Sequence, residues 1–183
     1  MEWTLPGTVL QIPQKDAAQI QQVFSSLFLG GGIVLSQVSG ITGLEPYTVQ
    51  NWVKRGFLPP PEKKRYSLRQ LCRIININML KSALPMERIC SLLTYINGHL
   101  DDVSDDIIDD SQLYFMFVEL AMHAQELFDE DAQVKALDQV LASYEEPVPG
   151  AKERVEKVLR IMLMGFLAAK LQQQTENMVK EML

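Results

Sequence analysis

The stretch that decides the fold is residues 35–58, LSQVSGITGLEPYTVQNWVKRGFL. Apolar residues repeat at helical spacing on both sides of Gly43, which predicts a short helix over 36–42 and a second helix over 46–55. Pro46 suits the first position of the second helix, because the N–H that proline lacks would have no partner there. Two short helices joined by a glycine turn form a helix-turn-helix.

The second predicted helix has two chemically different faces. The face toward the first helix is apolar and holds Val49, Trp52 and Val53. The opposite face follows i, i+3, i+4, i+7 spacing and holds Tyr47, Gln50, Asn51 and Lys54. A Gln or Asn side chain can form two hydrogen bonds with an adenine edge, and Lys54 can reach a guanine edge or a phosphate. Thr48 and Arg55 are placed for phosphate oxygens, so the pattern predicts a helix that reads the major groove of DNA.

A short basic segment follows this helix. Pro59, Pro60 and Pro61 exclude a helix, so residues 57–66 are predicted to form a loop or a short two-stranded wing. Lys63, Lys64 and Arg65 on this stiff segment suit a sugar-phosphate backbone. Each phosphate they neutralise would release condensed counterions, so DNA affinity should fall steeply with salt. The alternative for residues 35–66 is a plain four-helix segment with a solvated basic face, which is what most charge runs are.

The charge of the chain is distributed unevenly. The 183 residues carry a net charge of −6, which taken alone argues against nucleic acid as a partner. Residues 36–90, however, hold nine basic and three acidic residues, a net of +6, whereas residues 91–183 have a net of −11. If this chain binds DNA, only its middle part should touch the duplex. Apolar residues make up 47% of the chain, which excludes a disordered or low-complexity protein.

The middle block resembles a known family. The pattern T-G-x(4)-T-[IV]-x-x-[YW]-x-[KR]-[KR]-G-[FL]-L-x-P, followed by a basic segment and Tyr-Ser, is similar to the MerR-like winged helix-turn-helix over residues 35–98. The matching positions are Thr42, Gly43, Thr48, Val49, Trp52, Lys54, Arg55, Gly56, Phe57, Leu58, Pro60, Tyr66 and Ser67. The whole chain also resembles an uncharacterised bacterial group of MerR-like proteins with a helical N-terminal arm and an acidic helical C-terminal half. The resemblance implies a transcriptional regulator that binds double-stranded DNA sequence-specifically.

The chain departs from that family in three respects. Gln50, Asn51, Trp52 and Val53 stand where the family usually has Arg-x-Tyr-Glu, so the family's base preference does not carry over. Family members dimerise through one long helix directly after the DNA-binding domain. In this chain, three further helices are predicted to follow that domain. The mercury-sensing cysteines of the founding members are absent, because Cys72 and Cys90 both lie inside the reader.

Helical periods dominate the rest of the chain, and the predicted fold class is all-α. Helices are predicted over 16–29 with Asp16 as cap, 68–81 with Ser67 as cap, 85–99, 111–128, 132–144 and from 151 onward. Residues 1–15 are predicted to be an irregular arm, with no strand outside 57–66. Two apolar stripes on 68–81 predict packing on two sides, beside a narrow polar face of Arg69, Arg73 and Asn76. Three parts follow: 1–33, an arm and helix; 34–99, the winged helix-turn-helix; and 100–183, an acidic helical domain for dimerisation or effector binding.

The other residues that could carry chemistry or bind a ligand are better explained by structural roles. Cys72 and Cys90 could act as sensors, but both lie on apolar stripes, where thiols are usually inert packing. His99 and His123 are isolated and form no metal site. The run Gly30–Gly32 lacks the Lys-Ser/Thr of a phosphate-binding loop and is predicted to be a hinge. Methionines could line an adaptable pocket for an unknown small-molecule effector, although they are more often core: Met116, Met122, Met162 and Met164.

Residues 101–110 are strongly acidic. The aspartates, paired at i+4 spacing, are Asp101, Asp102, Asp105, Asp106, Asp109 and Asp110. A divalent-metal patch is one interpretation, but no second metal motif accompanies it. A solvated segment that caps helices and repels DNA is the favoured one.

The last predicted helix carries an apolar seam that either packs on the preceding helices or pairs with a second chain: Val155, Val158, Leu159, Met162, Phe166, Ala169, Met178 and Met182. Because DNA readers are commonly two-fold symmetric, a homodimer is predicted. No signal-peptide pattern and no apolar run of about 20 residues is present, so we expect no membrane association and a cytoplasmic protein, on the nucleoid when bound to DNA. No catalytic constellation stands out, so neither an enzyme nor a cofactor is expected. The alternative function is a protein-interaction adaptor that kept the reader fold.

Overall fold

The computed structural model describes residues 2–13, 19–100, 102, 104–122 and 129–182, and within them the chain is mostly helical, as predicted. The strands are β1 (Glu2–Thr4), β2 (Gln11–Pro13), β3 (Ile33–Val34) and β4 (Arg65–Tyr66). The helices are α1 (Ile20–Leu27), α2 (Leu35–Thr42), α3 (Pro46–Lys54), α4 (Leu68–Leu80), α5 (Met86–Asn97), α6 (Asp110–Met122), α7 (Glu130–Val140) and α8 (Ala151–Met182). The 3-10 turn Leu141–Ser143 extends α7. No helix among these residues is long and apolar enough to cross a membrane.

Helices α2 and α3 occupy the two segments predicted from the deciding stretch. Gly43 ends α2 with φ of +70°, a left-handed conformation that glycine adopts without steric cost. Pro46 stands at the start of α3, as expected. Val49 and Trp52 are buried, so the apolar face of α3 packs into the body of the protein.

The wing differs in part from its prediction. Strand β4 pairs antiparallel with β3, so that Ile33 lies opposite Tyr66 and Val34 opposite Arg65. The partner strand therefore comes from before α2 and not from within residues 57–66, where Glu62 and Arg65 form only an isolated bridge. Prolines 59–61 have no N–H to donate to a ladder, which explains why the chain takes its second strand from elsewhere.

The N-terminal arm is a β-hairpin, so the prediction of an irregular arm without strands is wrong. Trp3 in β1 lies opposite Ile12 in β2, and Leu5 between the strands is fully buried. Three-residue strands are too short to show an alternating pattern in the sequence. At Gly7, where φ is +71°, a Cβ would lie 2.5 Å from the carbonyl oxygen of Ile75, so the hairpin needs glycine to approach α4.

Polar contacts fix this hairpin to the rest of the protein. Asn78 Nδ2 on α4 donates hydrogen bonds to the carbonyl oxygens of Gly7 and Thr42, both at 2.9 Å. The hydroxyl of Tyr114 on α6 donates to the carbonyl of Pro6 at 3.1 Å. The arm is thus bound at once to the helix-turn-helix and to the C-terminal helices.

Helix α4 is the centre of the core. It contacts α2 and α5 as well as α6 and α8, which confirms that its two apolar stripes pack on two sides. Ile74, Ile75 and Ile77 are fully buried. Ser67 caps the helix as predicted: its Oγ accepts from the backbone N–H of Gln70 at 3.2 Å, and Gln70 Oε1 accepts from the N–H of Ser67 at 2.8 Å.

The remaining helices follow their predictions with shifted ends. Helix α1 begins at Ile20 after Gln19, and Asp16, its predicted cap, lies outside the described residues. Helix α6 is described as far as Met122, and residues 123–128, including His123, lie outside. Asp129 caps α7, since its Oδ1 accepts from two backbone N–H groups of the first turn.

One buried core runs from Leu5 to Leu167 and includes residues from all three predicted parts. Helix α4 of the central part packs directly on α6 and α8 of the C-terminal part. The packing therefore continues across the predicted boundary at residue 99 between the second and third parts. The division stays a prediction about function.

Candidate nucleic-acid interface

The polar face of α3 is open to solvent. Tyr47 is 70% exposed, and Gln50, Asn51 and Lys54 are also exposed, while Thr48 at the start of the helix is partly buried. Val49 and Trp52 on the opposite side are held in the core, so they fix the rotation of the helix. The four side chains predicted to share one face therefore lie on a face of α3 that is accessible to solvent.

The basic segment forms a tight turn at the tip of the wing. The N–H of Arg65 donates to the carbonyl of Glu62 at 2.8 Å, which places Lys63 and Lys64 at the two central positions. Both have positive φ, +47° and +64°, as a type I′ turn requires, although Asn and Gly are the residues that adopt it most readily. Both lysines are exposed at this projecting point.

A groove joins the wing to α3. It has a volume of about 450 Å³ and is lined by Leu35, Gln50, Val53, Pro61, Lys64 and Tyr66. Gln50 of the proposed reading helix and Lys64 of the wing thus border the same depression, although 14 positions separate them in sequence. The structure brings these two parts of the predicted site to one surface.

The five predicted basic residues differ in how they are held. Arg55 lies 3.7 Å from the carboxylate of Glu87, with its guanidinium 4.6 Å from the centre of the Phe57 ring. Arg65 donates to the carbonyl of Gly32 at 2.8 Å, which ties the wing to the predicted glycine hinge. By contrast, Lys54, Lys63 and Lys64 have no ion-pair or side-chain hydrogen-bond partner within the described part of the chain.

Two residues that position the wing were not predicted as part of the site. Gln70 Nε2 donates to the carbonyls of Pro59 and Pro60, at 3.3 and 2.9 Å, and Arg73 Nε donates to the carbonyl of Phe57 at 3.1 Å. Proline-rich backbone offers acceptors without donors, so side-chain donors from α4 complete it. The Ser-x-x-Gln capping pattern marks Gln70 in the sequence, but nothing there shows that its amide also reaches the prolines.

The arginines of α4 form a buried cluster with the acidic segment. Arg69 lies 2.5 Å from Asp106 and 3.9 Å from Asp110, and Arg73 lies 3.3 Å from Asp110. Asn76 Nδ2 donates to the backbone carbonyl of Asp110 at 3.3 Å. Burial raises the pKa of both carboxyls and outweighs the opposing effect of the arginines. The predicted polar face of α4 therefore exists, but it faces the C-terminal half of the protein.

The acidic segment is only partly solvated, so the favoured interpretation needs correction. Asp106 and Asp110 lie inward, where they pair with Arg69 and Arg73 of α4 and compensate the charge of these two mostly buried side chains. The capping role holds for Asp109, whose Oδ1 accepts from the N–H groups of Ser111 and Gln112 at 2.7 and 3.0 Å. Asp105 accepts from the backbone N–H and the ring Nδ1 of His99, both at 3.0 Å, which raises the pKa of that imidazole.

Within the described residues, no group of three or more His, Cys, Asp or Glu side chains could hold a metal ion. Asp101 of the acidic segment lies outside those residues.

Neither cysteine has the environment of a reactive thiol. Cys72 is fully buried, and burial raises its pKa well above the usual value. Cys90 is half-buried, and burial raises its pKa as well. Both shifts lower the fraction of thiolate, which is the reactive form. The packing interpretation accounts for both residues.

A second cavity, of about 540 Å³, lies between α1, α6 and the 3-10 turn. Met116 and Met122 line it, whereas Met162 is buried in the core and Met164 is 43% exposed on α8. Polar groups share the lining, among them Gln112 and Glu119. Two of the four methionines suggested for an effector pocket therefore border one cavity.

Comparisons with known proteins place the chain in a family. The family described as "Domain of unknown function (DUF1836)" matches residues 12–117, which include the arm's second strand, the helix-turn-helix, the wing and most of α6. The chain is also similar to an uncharacterized protein, YkrK, of Bacillus subtilis (strain 168), with 30% identity over 86 residues. That match covers 45% of this chain and 37% of the relative, so the chain spans well under two thirds of the relative's length. No solved structure matches the chain significantly. Because the family match covers more than half of its length, the chain belongs to the DUF1836 family.

Proposed function

We propose that this protein is a sequence-specific double-stranded DNA-binding regulator of MerR-like type. In this proposal α3 enters the major groove and the turn at Lys63 and Lys64 grips the sugar-phosphate backbone. The observation that carries it is the groove between α3 and the wing, since Gln50 and Lys64 border it together. A helix and a basic turn on one surface match the division of labour between base contacts and phosphate contacts.

The exposure and the contacts of the basic side chains support the same proposal. Lys54, Lys63 and Lys64 are exposed and have no partner within the described residues, so they lose no internal ion pair when they bind phosphate. Arg55 and Arg65 would have to share their guanidinium groups between phosphate and the contacts that hold them now. The three lysines are therefore the main electrostatic contribution, and the two arginines a smaller one.

Base reading would fall to Gln50 and Asn51. Both are exposed on the polar face of α3, and their amides can form paired hydrogen bonds with adenine. Tyr47 beside them offers a hydroxyl and a ring at the same surface. We propose that this trio gives sequence preference and that the lysines give most of the affinity.

Titration of a labelled mixed-sequence duplex with the full chain, followed by fluorescence anisotropy at several salt concentrations, tests the proposal. We expect binding at low salt and a logarithmic affinity that falls linearly with the logarithm of salt, by about 0.9 for each phosphate contacted. Absence of binding at low salt would contradict DNA binding as the function. Selection of bound fragments from a random pool then tests specificity, and an unenriched pool would reduce the proposal to non-specific binding.

A further inference from the structure

A further groove lies between α5 and α8, and we call it the α5–α8 groove. It has a volume of about 690 Å³, which is within the size range of small-molecule sites. Its lining is mainly apolar: Val158 is buried, Leu84 and Leu92 are half-buried, and Tyr95 and Ile161 are each 44% exposed. It shares no lining residue with the groove between α3 and the wing, so DNA binding does not account for it.

Contacts between the helices bound the α5–α8 groove at both ends. At one end Arg154 of α8 donates a hydrogen bond to the carbonyl oxygen of Tyr95, and its guanidinium lies 4.6 Å from the centre of the Tyr95 ring. At the other end α8 passes close to the turn before α5, where a Cβ on Gly165 would lie 2.9 Å from Leu80 Cδ2 and 3.6 Å from the Cβ of Ala83. The groove is therefore a bounded depression, which suits a short ligand better than a long helix.

The polar side chains that line this groove differ in their pairing. Ser91 Oγ donates to the carbonyl oxygen of Glu87 at 2.8 Å, and Lys157 Nζ lies 3.1 Å from the carboxylate of Glu153. The guanidinium of Arg88, by contrast, is exposed and has no ion-pair or hydrogen-bond partner among the residues that the structure describes. Because an arginine fork matches the two oxygens of a carboxylate, the groove combines an apolar surface with a free anion-binding group.

We propose that the α5–α8 groove binds a medium-chain carboxylate, with the carboxylate held by Arg88 and the alkyl chain packed on the apolar lining. The lining extends from residue 84 to residue 95, about 16 Å at the rise of an α-helix. An extended carbon chain advances about 1.2 Å per bond, so chains of about 8–12 carbons match this length. This site goes beyond the proposed DNA-binding function and does not depend on it.

Burial and charge both favour this class of ligand. Tyr95 and Ile161 lose exposed apolar surface when an alkyl chain covers them, which stabilises the complex in proportion to the area buried. Arg88 gives up no internal contact when it binds the carboxylate. A cationic amphiphile would instead bring its charge beside Arg88 and Lys157, and like charges placed together weaken binding. A second carboxylate on the ligand would have to compete with Glu153 for Lys157.

The first test is isothermal titration calorimetry of the full chain with decanoate, without DNA. We expect saturable binding of one decanoate per chain at concentrations below about 1 mM. Affinity should rise about two- to fourfold for each CH₂ group added between octanoate and decanoate, because each group buries more apolar surface. Decyltrimethylammonium, which has the same chain and a positive head, should bind about tenfold more weakly or not at all. Uptake of decanoate that does not saturate, or equal binding of the two amphiphiles, would overturn the proposal.

The second test locates the site with variants at exposed positions. Arg88→Gln should lower the affinity for decanoate about tenfold or more, because it removes a charge-assisted pair, and should leave the binding of uncharged octan-1-ol unchanged. Ile161→Asp should weaken both ligands, because it places a carboxylate in the apolar lining.

The matched control is Lys152→Gln, which removes an exposed charge from α8 outside the groove and should bind decanoate like the natural chain. Circular dichroism should show equal helix content in all variants. Decanoate binding that survives both Arg88→Gln and Ile161→Asp, or that falls equally in Lys152→Gln, would overturn the assignment of the site. Neither test contains DNA, so failure here leaves the DNA-binding proposal intact, and failure of DNA binding leaves the carboxylate site intact.

Discussion

The basic block of this protein includes two groups of residues with different environments. Lys54, Lys63 and Lys64 lie on α3 and the wing, exposed and without partners within the described residues. Arg69 and Arg73 lie on α4, mostly buried and paired with Asp106 and Asp110. The two groups lie close together in sequence and carry charge of the same sign, but one faces solvent and the other holds the C-terminal half against α4.

This difference shows why a charge count does not locate a binding surface. The net of +6 over residues 36–90 includes two arginines whose charge is compensated inside the fold. Of the seven other basic residues of this block, five are exposed on or next to α3 and the wing, and Lys81 and Arg88 are exposed elsewhere. The comparison predicts that changes in the α4 group act on stability, while changes in the exposed group act on DNA binding.

The largest expected effect is on the buried group. Replacing Asp110 with Ala leaves Arg73 buried without a carboxylate, which should lower the free energy of unfolding by about 3–5 kcal/mol. Urea denaturation followed by circular dichroism measures it. Glu87→Ala is the control, because it removes the exposed partner of Arg55 and should cost about 0.5 kcal/mol or less. Similar losses in both variants would break the distinction between buried and exposed pairs.

The next effect is on sequence preference. The double variant Gln50→Ala/Asn51→Ala should lose about 1–3 kcal/mol of discrimination at each base the amides read, because no other group at those positions offers paired hydrogen bonds. Its binding to mixed-sequence DNA and its stability should change little, since both side chains are exposed. Selection from a random pool checks this, and a motif unchanged from the natural chain's would remove both residues as readers.

A change in the wing should alter DNA binding without lowering the stability of the fold. The double variant Lys63→Asn/Lys64→Gly keeps the tight turn with residues that accept positive φ, so the free energy of unfolding should hold or rise by up to about 1 kcal/mol. The salt slope of DNA binding should fall by about 1 for each lysine. An unchanged slope in this folded variant would show that the wing does not touch phosphate.

The smallest effect concerns the exposed pair of His99 and Asp105. Because the hydrogen bond to Asp105 raises the imidazole pKa, the ring's share of stability is present below about pH 6.5 and is lost as pH rises through the raised value. The pKa of Asp105 is lowered by the same contact, so its share is present above about pH 3.9 and is lost as pH falls. The pair therefore contributes its full share of stability between about pH 3.9 and about pH 6.5. Asp105→Asn should return the His99 pKa toward 6.5 in an NMR titration, whereas an unmoved pKa would exclude the contact.

Much of the fold could be predicted because its signals are local. Gly43 and Pro46 mark the turn between α2 and α3, and Ser67 with Gln70 marks the start of α4. The hairpin of the arm could not be predicted, because three-residue strands carry no period. Its position depends on distant contacts such as that of Asn78 with Gly7.

The candidate site, like the fold, could be predicted only where its signals are local. The exposed face of α3 follows from helical spacing alone, so Tyr47, Gln50, Asn51 and Lys54 could be placed from the sequence. The pairing of Arg69 and Arg73 with the acidic segment could not, because it joins residues 37 positions apart whose separation in the fold depends on how α6 packs. The strand partner of the wing was missed for the same reason, since β3 lies before α2.

The most direct test of the central claim compares two charge-matched triple variants. Lys54→Ala/Lys63→Ala/Lys64→Ala removes three charges from the proposed surface, and Lys135→Ala/Lys152→Ala/Lys180→Ala removes three exposed charges elsewhere. Both are titrated against the same duplex by fluorescence anisotropy over a range of salt. We predict that the first variant loses most of its affinity and about 3 from its salt slope, while the second binds like the natural chain. Equal losses in the two variants would contradict the account, because the position of the charge would then not matter.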